Sequence, residues 1–258
     1  MPRSIRLRPG LHLAVALLSI TLCVVSALAA NQVLTTASPS AVPAHAQALL
    51  SLKGQALSNG AIAYPFGAVL VSTIWRRPGW TPAGDKPIDV CWERPDDAPA
   101  YLRASVRDAV ARTWAFYGMV SFRGWGACVD GAKGIRIGVS PDRSGTDGLG
   151  QQLDGKPNGM MLQMDFSAST YCVNRNEFCV RATAVHEFGH ALGIVHEQNR
   201  SDAPGWCKAK HQGETPDKTI TKYDSASIMN YCNTTWQNDG LLSDSDIVTV
   251  TTLYGGRA

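Results

Sequence analysis

Apolar residues recur along this chain at two spacings, and each spacing predicts a different element. "IDVCW" puts Ile88, Val90 and Trp92 on one face, the period-two pattern of a strand, stopped by Pro95. "GIRIGVS" repeats it with Ile135, Ile137 and Val139. "GMMLQMDF" sets Met160, Leu162, Met164 and Phe166 against Met161, Gln163 and Asp165, a half-buried strand. "AVLVSTIW", from residue 68, also reads as a strand. "YLRASVRDAVARTWAFYG" instead places Leu102, Val106, Val110, Trp114 and Tyr117 at helical spacing, with Gly118 as the stop. Near the end, Ser243 and Asp246 form a helix cap ahead of Ile247, Val250 and Leu253, closed by Gly255, although the β-branched "VTVTT" run disfavours helix. Strands and helices in this mixture predict an α/β domain.

The first residues differ in kind. Arg3, Arg6 and Arg8 precede an apolar run that ends in Ala27-Leu28-Ala29, the pattern of a cleaved secretory leader over residues 1–29; an uncleaved anchor is the alternative reading. Residues 30–87 begin rich in Ala, Ser, Thr and Pro and read as a linker or pro-segment, leaving 88–258 as the main domain. Arg76-Arg77 resembles a dibasic processing site, but Pro78 opposes cleavage there. Without the leader's three arginines the chain carries 21 basic and 21 acidic side chains, which gives no electrostatic case for nucleic acid or an anionic membrane. Cys23 leaves with the leader. The six cysteines that remain suit disulfides in an exported chain, with fifteen pairings open and the nearest-neighbour set 91–128, 172–179 and 207–232 preferred.

"HEFGHALGIVHE", residues 186–197, holds half of the six histidines. On a helix, His186 and His190 lie about 40° apart round the axis and about 6 Å apart along it, so both can face one ion. His196 falls about 240° away, so the chain must leave the helix and double back, which Gly193 permits by taking a left-handed conformation. Three neutral imidazoles with a fourth position open to water describe a catalytic zinc site, and Glu187 is placed to reach that water. His45 and His211 read as exposed bystanders. Asp142, Asp147 and Asp154 in a Gly-rich loop read as a solvated turn rather than a calcium site.

The spacing His186-Glu187-x-x-His190-x-x-Gly193-x-x-His196 resembles the metzincin metallopeptidase signature, and Glu197 after the third histidine resembles the astacin branch. "YDSASIMNY", with Ser227, Met229 and Tyr231, is similar to the astacin Met-turn, and "LSDSDIVTVTTLYG" to the closing helix of metzincin domains. The resemblance implies an α/β metzincin fold with a Met-turn subdomain. It implies zinc on His186, His190 and His196, with Glu187 as general base. Met229 would form the floor under the ion, and Tyr231 would be a fifth ligand that swings to the oxyanion. In astacins the glutamate at Glu197 meets the mature N-terminus; the pro-segment aspartate has only a faint echo at Asp85. The expected protein is a secreted, monomeric zinc endopeptidase acting on protein or peptide substrates, binding no nucleic acid and no membrane once the leader is gone. A non-catalytic zinc-binding module and a hydrolase of cell-wall peptide crosslinks are the alternatives. The strand at 159–166 is the expected edge for binding an extended peptide.

Overall fold

The computed structural model describes residues 67–75, 87–219 and 222–256; the leader, His45, Arg76-Arg77 and Asp85 lie outside the described residues. Five strands form one twisted sheet in the order β3-β2-β4-β6-β5: β2 (Ile88–Trp92), β3 (Phe122–Ala127), β4 (Ile135–Ser140), β5 (Gly145–Thr146) and β6 (Met160–Gln163). The pairs β2–β3, β2–β4 and β4–β6 are parallel, and β5 closes one end antiparallel to β6. Alternation along the strands is as the sequence pattern implies: Ile88, Val90, Trp92, Ile135, Ile137, Met160 and Leu162 are buried. The mixed sheet with helices on it is the α/β arrangement read from the sequence.

Two expectations about strands are corrected. The segment 159–166 is neither a full strand nor an edge. It pairs with β4 on one side and β5 on the other, and it ends at Gln163, where Asp165 accepts from the Ser167 N–H and turns the chain. The edge strand is β5. "AVLVSTIW" is extended only as β1 (Ala68–Val69); the Thr73 hydroxyl then donates to the Leu70 carbonyl and a 3-10 turn follows at Val71–Thr73. β1 pairs with β7 (Lys218–Thr219), and the Val195 N–H donates to the Ala68 carbonyl. Val69, Ile74 and Trp75 sink into the main core, and the Trp75 indole N–H donates to the Ala191 carbonyl at 2.7 Å.

The helix expected over residues 101–117 is interrupted. α1 (Ala100–Arg112) buries Leu102, Val106, Ala109 and Val110, and α2 (Trp114–Tyr117) follows after a break at Thr113. The Thr113 hydroxyl donates to the Ala109 carbonyl at 2.7 Å, taking an acceptor the helix leaves open. The break lets the buried Trp114 indole donate to the Val185 carbonyl of α3 (Asn176–Ala191), again at 2.7 Å. α3 is central: Ala182 through Ala191 are all buried, so it lies inside the domain rather than on it. Its start is tied to the sheet by Asn176, which accepts from the Phe166 N–H and donates to the Met164 carbonyl.

After α3 come the short α4 (Gly205–Lys208), the Met-turn and α5 (Asp244–Tyr254). Ser243 and Asp246 form the capping box expected from sequence, and the β-branched run is tolerated because Ile247 through Thr251 are buried. Disulfides join Cys91–Cys128, Cys172–Cys179 and Cys207–Cys232, the nearest-neighbour set.

Trp75 sits 4% exposed, ahead of the expected domain start at residue 88, with a hydrogen bond to the end of the active-site helix. Trp75→Ala should therefore destabilise the domain by about 3–5 kcal/mol. Thermal unfolding should show a Tm lower by about 10 °C or more; an unchanged Tm would mean that this segment is not part of the folded unit.

Candidate metal centre and its cleft

α3 delivers His186 and His190 from adjacent turns, both buried. The helix ends as the sequence requires: Gly193 has φ +86°, its N–H donates to the His190 carbonyl, and the Ile194 N–H donates back to the Gly189 carbonyl. The chain reverses and brings in His196. Ligand-capable atoms of the three histidines lie within 4.8 Å of one another, and among the described residues they are the one such cluster of three His, Cys, Asp or Glu side chains.

The hydrogen bonds decide which nitrogen faces inward. The Nδ1 atoms of His186, His190 and His196 face the carbonyls of Ile228, Ile194 and Gln212 at 2.7, 2.8 and 2.8 Å. A carbonyl only accepts, so each Nδ1 carries the proton and each Nε2 of the neutral ring presents a lone pair. The Nε2 of His196 lies 3.1 Å from each of the other two Nε2 atoms. Lone pairs held that close repel unless a cation lies between them. Tetrahedral zinc with Zn–N near about 2.05 Å spaces its nitrogens about 3.3 Å apart, so the donor set fits that ion. Burial also favours neutral rings: it pushes His186 down to about 3 and lowers His190 and His196.

Three features beneath the histidines have no motif in the sequence to announce them. Gly189 is one: a Cβ there would collide with Met229 Sδ and lie 3.0 Å from Trp114 Cζ2, so only glycine lets the Met-turn pack this close. Asp246 is another. Buried at the start of α5, it accepts from the Ser227 hydroxyl and the Ile228 and Ser243 N–H groups, and desolvation pushes it up to about 6. It thus holds the N–H of the same residue whose carbonyl orients His186. Asn199 is the third: its amide donates to the Gln212 carbonyl that orients His196. Only Asp246 leaves a trace in the sequence, as a helix-cap residue.

Glu187 is 3% exposed, lines the cleft, and has its Oε2 without a hydrogen-bond partner; desolvation pushes the carboxyl up to about 8. The Tyr231 ring lies 4.4 Å from that of His196 and 5.2 Å, nearly parallel, from that of His186; burial raises its phenol. Met229 is fully buried beneath. Glu197 faces inward, accepting from the Asp224 N–H at 3.1 Å with Arg200 Nε at 3.4 Å, while its own N–H donates to the Met229 carbonyl. The cleft has a volume of about 240 Å³, with β5 along one side and Gln212–Glu214 along the other. Asp142, Asp147 and Asp154 do not converge: they bind Ser140, Lys156 and the Gly134 N–H respectively. His211 is exposed.

Three histidines from a helix and its returning strand, above a buried methionine turn and beside a mixed sheet, define a metzincin-type centre. Residues 171–254 match the model of the Astacin peptidase family, and the chain is astacin-like. Zinc metalloproteinase nas-36 of Haemonchus contortus is 34% identical over 96 residues, 32% of this chain and 15% of that protein, so the match spans a small part of that relative's length. Among solved structures, myroilysin superposes with a TM-score of 0.51 at 22% identity, covering 73% of this chain and 98% of its own, a likeness of fold. High choriolytic enzyme 1, a hatching enzyme zinc-protease from the medaka Oryzias latipes, gives a TM-score of 0.47 at 19% identity over 72% and 96% of the two chains.

Because three lone pairs converge, removing the ion should cost stability. Chelation should lower the Tm, and added zinc should restore it in a concentration-dependent way, by about 2.7 kcal/mol at a hundredfold excess over Kd. A Tm indifferent to chelator and to zinc would contradict the centre.

Proposed function

We propose that the chain is an exported zinc endopeptidase that cleaves peptide bonds in proteins or peptides, working as a monomer. The observation that carries this reading is the Glu187 carboxylate, buried beside three converging imidazoles with one oxygen left unpaired in an open cleft. A site built only to hold metal has no use for an unpartnered carboxylate there, since leaving it so costs about 1–3 kcal/mol or more. The leader-like residues 1–29 and three disulfides support export, with residues 30–66 as linker or pro-segment and the packed domain beginning near Gly67. Among the described residues, no helix is long and apolar enough to cross a membrane.

In this reading, His186, His190 and His196 hold the ion. When bound, it supplies a Lewis acid that polarises the scissile carbonyl and lowers the pKa of a water from about 15.7 toward about 7. Glu187 takes the proton from the attacking water and passes it to the leaving amide nitrogen. The β5 edge, with unpaired main-chain groups along the cleft, pairs with an extended substrate and presents its carbonyl to the centre. Tyr231 donates a hydrogen bond to the oxygen as negative charge develops on it. Met229, packed under the histidines, keeps the floor dry.

Glu187→Ala should retain zinc and fold while losing nearly all peptidase activity; stoichiometric zinc loss or wild-type turnover in that variant would refute the general-base assignment. Tyr231→Phe should lower kcat by about a hundredfold or more with KM and zinc affinity nearly unchanged. Steady-state kinetics on a peptide substrate checks this, and an unaltered kcat would reduce Tyr231 to packing.

A further inference from the structure

We propose that Gln198 is a positioning residue for the reaction, holding the Tyr231 backbone through its side-chain carbonyl so that the phenol stands over the histidines. This rests on the peptidase reading above and on the part Tyr231 plays in it. Gln198 is fully buried, and its Oε1 accepts from the Tyr231 N–H at 3.1 Å across 33 residues of sequence. Its Nε2 has no partner; with Glu187 Oε2, it is one of two such buried side-chain atoms among the described residues. A buried amide that paired both ends would be ordinary filling. One that leaves its donor orphaned bears a desolvation cost that only its Oε1 contact offsets.

The surrounding contacts show what that bond controls. Ile228 is held by Asp246, Met229 by Ser227 and by the Glu197 N–H, and Asn230 by the Tyr223 hydroxyl and the Asp224 carbonyl. The Tyr231 carbonyl accepts from the exposed Lys210 ammonium, while its buried-side N–H depends on Gln198. The ring is then placed by that backbone and by stacking against His186 and His196. Gln198 occupies the middle of a 3-10 turn, Glu197–Asn199, that begins directly after His196. Asn199 of the same turn holds the Gln212 carbonyl that orients His196. One short turn therefore aligns both a ligand and the phenol, and a phenol displaced by a fraction of an ångström stabilises the transition state less while substrate binding is unaffected.

The test is a double-mutant cycle on the zinc-loaded full chain. Gln198→Met removes the acceptor at similar volume; Gln198→Asn keeps the amide but withdraws it by about one bond length, and serves equally if the methionine variant fails to fold. Either variant should lower kcat about tenfold, with KM and zinc affinity, measured by chelator competition, within about twofold of wild type. In a Tyr231→Phe background, the same substitution should change kcat by less than about twofold. Wild-type kcat in both Gln198 variants, or an equal loss in both backgrounds, overturns the proposal while leaving the role of Tyr231 standing. Loss of zinc affinity in parallel with kcat also overturns it, by making Gln198 a support of the metal ligands. A Tyr231→Phe variant with unaltered kcat instead refutes the role of Tyr231 itself, and the proposal falls with it.

Discussion

Three imidazole lone pairs aimed at one point impose the constraint from which the rest of this structure follows. Each ring is fixed by a backbone carbonyl on its far nitrogen, and the three carbonyls come from different parts of the chain. Ile228 belongs to the Met-turn, Ile194 to the strand returning from α3, and Gln212 to the loop that walls the cleft. A shift in any of them rotates a ligand out of register, so the centre reports on the assembly of the whole lower half. Tying the outer nitrogen also makes each ring a better donor and removes tautomeric ambiguity.

The supports for those carbonyls lie further out. Asp246 grips the Met-turn from the first turn of α5 and caps that helix with the same carboxylate, so the closing helix and the histidine floor share one anchor. Gly189 and Trp114 determine how closely Met229 approaches α3. The Cys207–Cys232 disulfide ties α4 to the residue following Tyr231, and the Trp75 indole is bound to the last turn of α3. Glu197 and Arg200 form a buried ion pair just beyond the third ligand, with Arg200 also bound to Asp202 through two hydrogen bonds. Such a pair is costly to break from one side, whatever its net contribution to stability.

Much of this is legible in the sequence because local rules and global fold agree. The spacing of four between His186 and His190 is a helical repeat, Gly193 announces a left-handed turn, and period-two alternation marks β2 and β4. The nearest-neighbour disulfides follow from short connections between adjacent elements. What stays hidden depends on contacts distant in sequence. A glycine such as Gly189, inside a helix with ordinary φ, gives no sign that a methionine 40 residues on needs its space. Gln198 and Asn199 look like surface polar residues until the fold buries them. The break at Thr113 follows from a tryptophan hydrogen bond to another helix, and the edge role of β5 from a two-residue strand too short for any periodicity. The early segment 67–75 shares the composition of the linker before it, yet Val69, Ile74 and Trp75 are core.

The most direct test of the central claim is zinc K-edge X-ray absorption on the zinc-loaded protein. The account predicts one ion per chain with three imidazole nitrogens at about 2.0–2.1 Å and oxygen in the remaining coordination, with no sulfur. A sulfur shell near about 2.3 Å, fewer than three imidazoles, or zinc bound at less than one per chain would contradict it.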